Sequence, residues 1–150
     1  MKTFKRSWPI SITVLFVLTI LLMTWTVSAG AVSKKDLRRV SKEGPVEVTV
    51  LFLNPLQGEA GDDLSFEVRM STHSVNLDAY KMDALSVLQV DDGKETEPLG
   101  WFEPGGGGHH ISGVLKFKGP VPDNAGTLKL IIRGIGSVPE RVFEWSLPLE

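Results

Sequence analysis

The sequence predicts an all-β domain, a seven-stranded immunoglobulin-like antiparallel β-sandwich, following an N-terminal signal or transmembrane helix. Three observations carry this. Apolar residues alternate with polar ones in two long runs, Val46/Val48/Val50/Phe52 and Leu64/Phe66/Val68/Met70, the period of a strand with one buried face. Turn-forming clusters of Gly, Pro, Asn and Asp recur at short intervals through residues 45–147, as a many-stranded antiparallel fold requires. After Val27 no stretch of useful length repeats at the helical period.

The N-terminus reads as a targeting segment. Lys2, Lys5 and Arg6 precede an apolar run over 10–27, and the small-residue exit Ala29-x-Ala31 follows, the three-part layout of an export signal. The run is eighteen residues long, about 27 Å of helix, which also matches a bilayer core. Residues 1–31 are therefore a signal peptide or an uncleaved membrane anchor, and residues 45–150 the β domain. Between them, 32–44 reads as a basic linker with Lys34, Lys35, Arg38, Arg39 and Lys42. Five positive charges after the apolar run against three before it would favour the opposite orientation, whereas the Ala-x-Ala exit favours export. The linker is either solvated or laid against anionic headgroups if it stays beside a membrane.

Seven strands are predicted in the β domain. The first two are 46–52 and 64–71, separated by a turn region with Asn54-Pro55 and Gly58. A long loop over 72–83 leads to a third strand at 84–90, which Asp91-Asp92-Gly93-Lys94 ends as a tight turn. A short fourth strand, 99–103, contains Trp101 and precedes a glycine loop over 104–109. The fifth strand is 110–118. Pro120 and Pro122 keep the next segment out of any sheet interior. The sixth and seventh strands are 127–133 and 141–147. A domain of this size buries roughly 60–70% of its unfolded surface, enough for one core.

Charge and cysteine content exclude some functions. Residues 1–43 carry eight Lys+Arg and two Asp+Glu, net +6, while 44–150 carry eight and sixteen, net −8. A domain at −8 repels phosphate backbones, so no nucleic-acid partner is expected. The chain has no cysteine, so neither a disulfide framework nor a lipid-attachment thiol is available, and an exported domain must rely on its core.

Imidazole is confined to two short stretches: His73 in Ser71-Thr72-His73-Ser74, and His109-His110 directly after Gly105-Gly106-Gly107-Gly108. Because antiparallel strands reverse at every connection, the loops after the second, fourth and sixth strands fall at one end of the sandwich. That parity brings His73, His109 and His110 to one rim. Three histidines there form a candidate first shell for copper or zinc, with Asp78 and Glu103 as carboxylate neighbours and Met82 as a thioether donor that would favour Cu(I). Met70 alternates with Val68 and Phe66 and reads as core. Adjacent histidines in a regular strand point to opposite faces, so convergence of His109 and His110 requires the glycine loop to bend the backbone.

Other motifs carry less. Ser112 near His110 has no nucleophile-elbow context. The Gly105–Gly108 run is followed by neither Lys-Ser/Thr nor a helix, so it is no phosphate loop. Asp91-Asp92-Gly93 lacks the remaining ligand spacing of a calcium loop. Trp101 and Trp145 read as core aromatics.

At Thr72-His73-Ser74-Val75-Asn76-Leu77-Asp78 and from Gly105 through His109-His110-Ile111-Ser112-Gly113-Val114 to Leu115, the chain resembles a loose group of small prokaryotic proteins, each an exported or membrane-tethered single β domain. The resemblance covers about residues 45–147. It implies no activity, but it does imply that the two histidine stretches belong together. Three functions are compatible with this reading. The first is an extracytoplasmic binding module, secreted or held at the cell membrane, whose histidine rim takes copper, zinc or a protein partner without turnover. The second is a metal-dependent enzyme using the same rim with Glu103 or Asp78 as acid/base. The third is a metal-free protein-interaction domain.

Overall fold

The computed structural model describes residues 32–57 and 63–149. The apolar run at 10–27 lies outside the described residues, among which no helix is long and apolar enough to cross a membrane. The described residues form eight strands in two antiparallel sheets. They are β1 (Arg38–Ser41), β2 (Val46–Phe52), β3 (Asp63–Thr72), β4 (Ser86–Val90), β5 (Gly100–Gly107), β6 (His110–Lys118), β7 (Thr127–Ile135) and β8 (Val138–Ser146). One sheet has the order β1-β2-β3-β6-β5 and the other β4-β7-β8.

The alternating runs become strands because only one face of each can be buried. In β2 every second residue from Val46 to Phe52 is buried, and β3 repeats the pattern through Leu64, Phe66, Val68 and Met70. Their register pairs Phe52 with Phe66 and Val48 with Met70, so like faces coincide. From the other sheet, β7 contributes Leu128, Leu130 and Ile132, and β8 contributes Phe143 and Trp145. The sheets meet in an aromatic cluster. Phe66 stacks on Phe52 with ring centroids 4.9 Å apart, meets Phe117 edge-on at 5.8 Å, and lies 5.4 Å from Trp145 of the opposite sheet.

Three features differ from the sequence expectation. There are eight strands where seven were expected, and the additional one, β1, falls in the stretch read as a linker. Leu37 just before it is fully buried, its carbonyl accepts the indole Nε1–H of Trp145 at 2.9 Å, and the Arg39 guanidinium lies 5.4 Å from the Trp145 ring centroid. The five positive charges of this stretch hid one core leucine. Second, the glycine loop is largely strand. β5 runs to Gly107 with a bulge between Phe102 and Gly105, and only Gly108 and His109 form the hairpin turn. Third, β8 begins at Val138 and includes Pro139; an edge strand tolerates the missing amide donor.

At the end of the domain away from the histidines, Asp91 closes the gap between β4 and β7. Its Oδ1 accepts from the Gly126 and Thr127 amides at 2.9 and 2.8 Å. The Thr127 and then the Gly126 amide hold this carboxyl below its ordinary range.

Candidate functional site

Strand parity brings the connections β3–β4, β5–β6 and β7–β8 to one end, where hydrogen bonds join them. The β3–β4 segment is shaped by its own polar residues. The Asn76 side chain accepts from the Asp78 amide at 3.0 Å and starts a short helical turn, Leu77–Ala79, whose Leu77 is buried as an anchor. A second helical turn, Met82–Leu85, buries Met82 before β4 begins. The segment is therefore pinned to the core at two points, leaving its polar residues outside.

The hairpin tip of β5 and β6 docks onto this segment through three contacts. The Thr72 amide donates to the His109 carbonyl at 3.0 Å, and the Leu77 amide to the Gly108 carbonyl at 2.7 Å. In return, the Gly108 amide donates to Asp78 Oδ1 at 2.8 Å. Glycine at 106 is needed here for two reasons: its φ is +83°, and a Cβ would lie 2.1 Å from the His110 carbonyl oxygen. The third connection joins through Tyr80, whose hydroxyl accepts from the Gly136 amide at 3.1 Å.

Beneath the rim lies Arg141, only 2% exposed. Its guanidinium donates to the carbonyls of Ile135 and Glu43 at 2.7 Å each and of Val46 at 3.3 Å, stitching the start of β2 to the β7–β8 turn. Burial pulls this guanidinium below its ordinary pKa, and the neighbouring Glu43 charge opposes that shift. A cavity of about 200 Å³ opens between the docked hairpin and the loop, walled by Leu77, Asp78, Tyr80, Trp101, Pro104 and Ser112 among others. Gly113 makes room for the Trp101 wall, since a Cβ there would lie 2.5 Å from the indole.

The histidines are all exposed but differ in placement. His73 and His109 sit at the rim on backbone joined by the Thr72–His109 bond. His110 is the first residue of β6, paired with Ser71 and Gly107, and lines a groove on the outer face of the five-stranded sheet with Arg38, Glu47 and Arg69. Asp78 lies at the rim as the acceptor for Gly108. Glu103 is exposed in the β5 bulge with φ +52°. Met82, like Met70, is buried in the core cluster. Among the described residues, no group of three or more His, Asp or Glu is arranged to hold a metal ion.

Sequence reasoning passed over Tyr80 and Arg141. Arg141 had a legible signal, because it shares strand parity with the inward residues Phe143 and Trp145; a charged residue at an inward position marks a buried polar anchor. Tyr80 carried none, since its partner is a backbone amide 56 residues away. Comparison of the chain with protein-family models, with curated proteins and with solved structures finds no match. The functional reading accordingly rests on the geometry.

Proposed function

We propose that the chain is an exported or membrane-tethered binding module of immunoglobulin-like architecture that engages its ligand through the rim formed by 72–83, the Gly108–His109 tip and 136–137. With β1 set aside, the orders β2-β3-β6-β5 and β4-β7-β8 match the four-plus-three arrangement of constant-type immunoglobulin domains, in which loops cluster at the two ends of the sandwich. The observation that carries the proposal is the set of three hydrogen bonds joining Thr72, Leu77 and Asp78 to Gly108 and His109. Two separate loops behave as one rigid platform presenting His73 and His109 to solvent.

Exposed imidazoles on such a platform suit copper or zinc, with His110, Asp78, Glu103 and Met82 as the further donors that the sequence offers. The burial of Met82 speaks against its use, and Asp78 already holds the Gly108 amide. That same engagement of Asp78 commits one of the two acid/base candidates to structure, leaving the exposed Glu103 as the one a metal-dependent reaction would use. The metal-free alternative is a protein partner docking on the rim, with the Tyr80–Trp101 cavity as its pocket. Calorimetric titration of Cu(II) and Zn(II) into the wild-type chain, His73→Ala, His109→Ala and His110→Ala distinguishes these. If the rim holds an ion, His73→Ala and His109→Ala each lower affinity more than about tenfold, about 1.4 kcal/mol, and His110→Ala less. Unchanged affinity in His73→Ala rules out a shared ion and leaves the protein-partner reading.

A further inference from the structure

The stretch 34–42 is folded onto the domain, and this places its basic residues on one face. The outer face of the five-stranded sheet carries a groove of about 770 Å³ lined by five basic side chains, Lys34, Lys35, Arg38, Lys42 and Arg69, and only two acidic ones, Glu47 and Glu67. A second groove of about 410 Å³ continues across β3 and β6 to Gly105 and His110, sharing Arg38 and Arg69 with the first. Arg69 comes from β3, so the patch is assembled by the fold and is more than a run of charges along the chain.

Both acids are engaged at the surface. Lys42 pairs with Glu47 at 3.3 Å and Arg69 with Glu67 at 2.7 Å. Among the described residues Lys34, Lys35 and Arg38 make no ion pair, and Val40 on the same groove is 44% exposed. The face is thus net positive, with an apolar side chain among the cations, on a domain whose residues 44–150 are net −8. An anionic plane attracts this face and repels the rest, which orients the domain.

We propose that this face docks on the anionic headgroups of a lipid bilayer, with Lys34, Lys35 and Arg38 as the headgroup contacts. Charge complementarity is one argument, since basic clusters beside an apolar segment are attracted to anionic leaflets over a Debye length. Reach is the other. Six residues lie between Val27, the end of the apolar run, and Lys34, at most about 25 Å of extended chain, so a retained apolar run limits how far the start of this face can move from a bilayer. A trough also suits a soluble linear polyanion, and the test separates the two. The argument from reach rests on the tethered reading; the argument from charge does not.

The test is lysine acetylation, read by mass spectrometry, on the full chain bound to vesicles of phosphatidylcholine alone or with about 30 mol % phosphatidylglycerol, a composition chosen to give a negative surface potential. On the anionic vesicles Lys34 and Lys35 are expected to react at least about threefold more slowly than on neutral ones, and to recover in about 1 M salt, where the Debye length is about 3 Å. Lys94, on the opposite sheet's turn, should not change, and Arg38→Glu should abolish most of the difference. Equal rates on both vesicles overturn the proposal. So does equal protection by soluble polyphosphate added to neutral vesicles, which would assign the face to a linear polyanion. Flotation separates this from the tether. A chain that floats with both vesicles but shows no protection keeps the tether and loses the docking face; one that floats only with anionic vesicles keeps the face and loses the tether.

Discussion

A chain beginning at residue 44 is expected to be far less stable than one beginning at residue 32. The missing segment takes away Leu37, a fully buried core side chain, whose loss resembles a large-to-small core substitution at about 2–5 kcal/mol. It also removes the carbonyl that accepts the buried Trp145 indole N–H, and an orphaned buried donor costs about 1–3 kcal/mol. Arg141 loses its Glu43 acceptor as well. Together these approach the whole stability of a small domain, about 5–15 kcal/mol. Urea unfolding should show a collapsed midpoint, or no cooperative transition, in the shorter chain. Equal midpoints would mean that β1 is an ornament on an already complete sandwich.

The second large effect is expected at Phe66. It is fully buried and touches three other aromatic rings, one of them from the opposite sheet. Phe66→Ala therefore leaves a cavity at the meeting point of the two sheets, with an expected cost of about 3–5 kcal/mol. Phe102 is the control, being 41% exposed on an edge strand with Lys116 over its ring. Phe102→Ala should cost less than about 1 kcal/mol. Comparable losses at the two positions would contradict the placement of the core.

Where one face of a strand is buried and the other solvated, the sequence shows it. β2 and β6 were legible to the residue, because the inward positions Val46, Val48, Val50 and Phe52, and Ile111, Gly113, Leu115 and Phe117, recur at every second residue. β1 was not, because a four-residue strand surrounded by lysine and arginine has only Leu37 and Val40 as apolar signal. β5 was half legible. Glycine normally breaks a strand, and only the pairing of Gly105, Gly106 and Gly107 with Ser112, Ile111 and His110 converts the glycine run into one. The nearness of the two histidine stretches followed from strand parity, which needs only the number of reversals between them. The orientation of each imidazole did not follow. His110 begins a strand and faces the sheet's groove, while His109 sits in the turn, a distinction set by the hairpin register.

The central claim is that the 72–78 segment and the Gly108–His109 tip form one platform. Amide hydrogen exchange of Thr72, Leu77 and Gly108, in the wild-type chain and in Asp78→Ala, tests it most directly. Among the described residues Asp78 accepts only the Gly108 amide, whereas Thr72 and Leu77 donate to the carbonyls of His109 and Gly108. On a single platform, all three amides are protected in the wild type and lose protection together in Asp78→Ala, while core amides such as Val68 stay protected. Loss confined to Gly108, or fast exchange of Thr72 and Leu77 already in the wild type, would show two independent loops and contradict the account.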